Sequence, residues 1–92
     1  MDKVQKCRIC LERHNIDIHT REGMSLFCCA YAFCEGFSKK VGDIVSWYAA
    51  FGGYSVRALN AQLRRACAQA KCGYTPGRLM RLVAKEVSSF ED

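Results

Sequence analysis

No run of apolar residues in this chain approaches the roughly 18 that a membrane-spanning helix needs. The longest, Met24 to Cys34, falls well short. The opening MDKVQKCRIC lacks the apolar centre of a secretory signal. Catalytic signatures are missing as well: there is no nucleophile elbow, no phosphate-binding glycine loop and no HExxH pair. No βαβ pattern surrounds the Cys-x-x-Cys, as a thioredoxin-like exchange centre would require. Acids are scarce in the last part of the chain, where Glu86 is the only one between Ser55 and Phe90. Together these absences predict a soluble intracellular protein, nuclear or cytoplasmic, that keeps its thiols reduced and is not an enzyme.

What is present fits a single domain of 92 residues, half of them hydrophobic and a quarter charged. A chain of this size buries only about 60–65% of its unfolded surface, so extra bracing of a small core is common. Seven cysteines are many for this length, and an odd number argues against a full set of disulfides. The net charge of +5 is unevenly spread. Met1 to Tyr54 carries seven Lys/Arg against six Asp/Glu, whereas Ser55 to Asp92 carries seven against three. A basic segment of this kind favours nucleic acid or another polyanion as partner.

Cys7 and Cys10, two residues apart, fit a tight turn that offers half of a tetrahedral metal shell. His14, His19, Cys28, Cys29 and Cys34 follow closely enough to complete it. On one continuous helix Cys28 and Cys34 would point roughly 240° apart, and Cys29 and Cys34 roughly 140° apart, so neither pair can share an ion. The expected ligands of a structural Zn2+ are therefore Cys7, Cys10, His19 and Cys28, with His14, Cys29 and Cys34 as alternates. The competing expectation is that the thiols are reduced core residues with no metal. Cys67 and Cys72 are spaced wrongly for a knuckle and read as packing.

The stretch Cys7-Arg8-Ile9-Cys10-Leu11 resembles the opening of the RING-variant finger and of the zinc-finger-associated domain of insect transcription factors. Both families need a second close-spaced cysteine pair, which Cys67-x4-Cys72 does not supply. The resemblance therefore implies a metal knuckle and nothing about function. In composition the chain is similar to viral accessory proteins that bind RNA or DNA.

The fold expected is mainly α, a small zinc-stabilised domain with an N-terminal knuckle and short hairpin followed by about four helices. Residues 1–23 hold the knuckle and hairpin. In Asn15 to Thr20, alternation puts Ile16 and Ile18 on one face and Asp17 and His19 on the other, as in a half-buried strand. Residues 24–38 suit a central apolar helix from near Ser25 to near Gly36. Residues 43–51 suit a short helix capped by Asp43 and stopped by Gly52-Gly53, with Ile44, Trp47, Tyr48 and Phe51 facing inward. Residues 55–90 contain one start signal used twice, Gly53-Tyr54-Ser55 and Gly73-Tyr74-Thr75, with Pro76 in the first turn after the second. They predict a helix-turn-helix-like pair, about Ser55–Lys71 and Thr75–Phe90.

Both of these helices are amphipathic, and their outer faces are basic. Arg57, Arg64, Arg65, Lys71, Arg78, Arg81 and Lys85 are the candidate phosphate contacts of a DNA- or RNA-binding, regulatory protein, with Tyr54 and Tyr74 available for stacking. The alternative is a protein-interaction or dimerisation module with a structural zinc and no nucleic-acid binding. Its surface would come from the aromatic residues in excess of what one small core can bury.

Overall fold

The first helix, α1 (Lys3–Arg13), starts where the Asp2 carboxylate accepts the Gln5 N–H at 2.9 Å. The computed structural model describes residues 1–91 and contains four more helices among them: α2 (Arg21–Cys34), α3 (Val41–Gly52), α4 (Val56–Ala70) and α5 (Pro76–Ser88). No strand occurs among the described residues, so the expected knuckle and hairpin give way to a helix and a loop. The reason is local. Cys-x-x-Cys-Leu is also the i, i+3, i+4 spacing of a helix face, and Cys7, Cys10 and Leu11 use it to enter the core. Asp2 with Gln5 three residues on is the start signal that marks this helix.

The alternation in residues 15–20 sorts the side chains as expected but forms no ladder. Ile16 and Ile18 are buried, whereas Asp17 and His19 are exposed. Asn15 reverses the chain in the left-handed region at φ 66°. The Asp17 carbonyl then accepts both the Thr20 N–H and the Thr20 hydroxyl, which turns the chain into α2. Gly23 lies against this turn, and a Cβ there would overlap the Asp17 carbonyl oxygen.

Thr20 caps α2 by accepting the Gly23 N–H at 3.0 Å, so the helix begins four residues before Ser25. It is the central element, packed against α1, α3, α4 and α5. Leu26, Cys29 and Ala30 are fully buried along it. Ser25 donates to Gln62 Oε1 of α4 at 2.9 Å, which satisfies both buried polar side chains.

α3 starts at Val41 without a side-chain cap, and Asp43 sits in its first turn, accepting from Ser38 Oγ at 3.2 Å. Gly53, at φ 74°, ends it. Its inward face is Ile44, Val45 and Ala49, with Tyr48 partly buried against the core as expected, whereas Trp47 and Phe51 do not face inward. Trp47 and Phe51 lie about 150° and about 110° round the helix from the centre of that face and stay in solvent. Ser55 and Thr75 cap α4 and α5 as expected, and Pro76 occupies the first turn of α5. The two helices are joined by a short turn, and each packs far more on α2 than on the other. The expected pair of helices joined by a turn is therefore present, with α2 as the main packing partner of each.

Candidate nucleic-acid interface

The cysteines are distributed through the helical core. Cys7 and Cys10 are buried on α1, Cys28 is half-buried on α2, and His19 is exposed on the loop between these helices. The His19 N–H donates to Asp17 Oδ1 at 2.9 Å. Of the alternates, Cys29 is fully buried, Cys34 lies beside Cys7 with both thiols free, and His14 is engaged with Glu86. Among the described residues no three of His, Cys, Asp and Glu come together in a set that could hold a metal. In this arrangement Cys7, Cys10, His19 and Cys28 are not gathered around one point.

What forms instead is a buried thiol cluster between α1 and α2. The hydrogen bond to Cys34 and burial together hold the Cys7 thiol protonated far above its ordinary range. The same bond, with Lys3 nearby, lowers that of Cys34. Burial pushes Cys10 up. It also pushes Cys29 up to about 12. Cys67 is pushed up to about 12 by burial and by its neighbour Cys72, as expected of a packing residue. Tyr48 rises to about 12 through burial and its hydrogen bond to Cys28.

Arg57, Arg64, Arg65, Lys71, Arg78, Arg81 and Lys85 are all exposed. Six of them form two rows, one on each helix. Arg57, Arg64 and Lys71 recur at intervals of seven residues, which returns each to within about 20° of the last and spaces them about 10.5 Å apart along α4. Arg78, Arg81 and Lys85 fall on the outer face of α5 by the same geometry. The Arg81 guanidinium folds back over Gly77, where its Nη1 would be 3.5 Å from a Cβ. Among the described residues, none of these six pairs with a carboxylate. Arg65 differs, because it lies a further 100° or so round α4 and reaches Glu22 of α2 at 3.9 Å.

Glu86, the one acid of this segment, is turned to the opposite flank of α5. There both its oxygens lie 3.0 Å from His14 Nε2. The basic face is consequently free of negative charge for structural as well as compositional reasons. Of the two tyrosines considered for stacking, Tyr54 is packed against the core and Tyr74 is the exposed one.

Two surface features stand out, the first without a signal in the sequence and the second announced there only as a surplus of aromatic residues. Between α3, the end of α4 and the start of α5 runs an open groove of about 640 Å³. Val41, Val45, Leu63 and Pro76 line its floor, and Arg64 and Lys71 stand at its edge. It exists because Lys71 (φ 53°) and Gly73 (φ 81°) swing the chain outward before α5 begins. The second feature is a run of exposed rings. Phe37 meets Trp47 edge-on at 5.9 Å, and Trp47 stacks on Phe51 at 5.7 Å. No family model, curated protein or solved structure matches the chain.

Proposed function

We propose that the chain binds nucleic acid through the outer faces of α4 and α5. The observation that carries this reading is the set Arg57, Arg64, Lys71, Arg78, Arg81 and Lys85, exposed in two rows on α4 and α5 and without a carboxylate partner among the described residues. Solvated helix faces usually interleave Glu with Lys at i, i+4, and this one does not. A row of cations with no acids between them is matched by a backbone of regularly spaced phosphates.

Fluorescence anisotropy with labelled DNA and RNA strands over a range of salt concentrations tests it. Affinity should fall steeply with salt. The triple variant Arg57→Ala, Arg64→Ala, Lys71→Ala should bind more weakly and flatten the slope of log K against log salt by about two to three. Arg65→Ala, whose guanidinium is engaged by Glu22, serves as the control and should change binding little. Unchanged affinity in the triple variant overturns the proposal.

A second reading, a protein-interaction module, is favoured by Phe37, Trp47 and Phe51, which are 65%, 50% and 78% exposed. A contiguous aromatic surface of this kind is characteristic of an interface. Sedimentation velocity at several concentrations distinguishes the two. A tight dimer with no salt-dependent capture of any strand favours the second.

A further inference from the structure

The groove beside the cationic face has a composition that phosphate contacts alone do not call for. Its floor is apolar, its volume of about 640 Å³ falls among small-ligand clefts, which span about 300–1,000 Å³, and its charged edge is entirely cationic. A ligand that uses all of this must present an apolar face and a negative charge a few ångströms apart. Double-stranded nucleic acid does not, because its base faces are hidden in the stack while its phosphates lie outside. A single strand does, once one base is turned out.

The remaining lining fits that occupant. Asn60 projects into the groove with an amide that makes no hydrogen bond among the described residues, so a donor and an acceptor are both available to a base edge. Tyr74 borders the same space and is held upright by its edge-on contact with His14 at 5.9 Å. An acidic amphipathic peptide could fill the groove as well. However, the cations continue beyond it, to Arg57 about 10.5 Å further along α4 and to Arg78 and Lys85 along α5. A polymer with a charge on every unit engages all of them.

Resting on the nucleic-acid reading above, we infer that this groove takes one unstacked base of a single strand, with Arg64, Lys71 and Arg81 on the phosphates to either side. The protein is thereby a single-strand binder rather than a duplex reader.

The test uses the full chain with three fluorescent probes at one fixed salt concentration: a short oligo(dT), the same backbone with every base removed, and a duplex of equal length. Base–aromatic and base–apolar contacts of this kind amount to about 1–3 kcal/mol per base, so the base-bearing strand should bind about tenfold more tightly than either other probe. Ala68→Leu, on the exposed rim of the groove between Arg64 and Lys71, places a larger apolar side chain at its mouth and keeps every cation. It should bring the base-bearing strand down to the abasic level and leave abasic binding unchanged, with circular dichroism reporting an intact fold. Equal affinity for base-bearing and abasic strands overturns the groove inference while leaving salt-sensitive nucleic-acid binding in place. So does a duplex that binds as tightly as the single strand, or an Ala68→Leu protein that behaves like the parent. If no probe binds in a salt-sensitive way, the nucleic-acid reading itself fails and the groove inference falls with it.

Discussion

His14 and Glu86, seventy-two residues apart, are joined by contacts of 3.0 Å from the histidine Nε2 to each carboxylate oxygen. The pair ties the end of α1 to α5, and both side chains are partly buried. Their contact accounts for the position of the one acid in a basic segment. Glu86→Gln retains a hydrogen-bonding partner and should cost about 0.5–1.5 kcal/mol in urea denaturation. Glu86→Ala leaves the histidine without one and should cost about 1–3 kcal/mol. Neither change should weaken salt-sensitive binding of an abasic strand, because the pair faces the flank away from Arg81 and contributes no cation to the two rows. A marked loss of affinity in Glu86→Gln would show that the assignment of the binding face is mistaken.

Gly23 is packed where any side chain overlaps the Asp17 carbonyl. Relieving that overlap means shifting the turn that buries Ile16 and Ile18. Gly23→Ala should therefore lower stability by about 1–3 kcal/mol, even though alanine has the higher helix propensity. A variant as stable as the parent in thermal and urea melts would mean that the loop yields freely.

The thiols make the fold sensitive to alkali. Cys29 and Cys67 are held protonated up to about 12, against an ordinary value of 9.0. In the unfolded chain each loses its proton near pH 9, so unfolding releases protons above that point. The stabilisation is complete below about pH 9 and is lost as pH rises toward about 12, at about 1.4 kcal/mol per pH unit for each thiol. Tyr48, raised to about 12 from 10.0, acts in the same direction at the upper end of that window. Urea midpoints measured under reducing conditions should fall from about pH 9 upward, and Cys29→Ala should reduce the dependence. A midpoint that stays flat to about pH 11 would contradict the burial of these groups.

Metal removal gives a further expectation. With Cys7 and Cys10 directed into the α1–α2 core and His19 exposed on the loop, no ligand shell is assembled among the described residues. Treatment with a strong chelator should leave the far-ultraviolet circular dichroism and the melting temperature unchanged. Unfolding of the chain by chelator, reversed by added zinc, would establish a metal-bound arrangement of these residues different from the helical one.

Much of the architecture follows from local chemistry. Ser55, Thr75 and Pro76 determine where α4 and α5 begin, and Gly53 determines where α3 ends, because a cap or a left-handed turn is decided by a few neighbouring atoms. The central place of α2 follows from the apolar run Met24 to Cys34, which has no side it can show to water. The basic character of the last segment is a matter of composition and needs no fold.

Other features were decided only in three dimensions. Cys-x-x-Cys fits both a metal turn and a helix face. What selects the helix is the cap at Asp2 together with a core that accepts Cys7, Cys10 and Leu11 at once. The alternation at Ile16 and Ile18 states which side chains are buried, but a strand also needs a partner, and none is there. Trp47 and Phe51 have helical spacing toward a core that Ile44, Val45 and Ala49 already fill. The groove, finally, belongs to no single segment. It arises because Lys71 and Gly73 turn α5 away from α4 over Val41 and Val45, and the divergence of two helices is not written in the sequence of either.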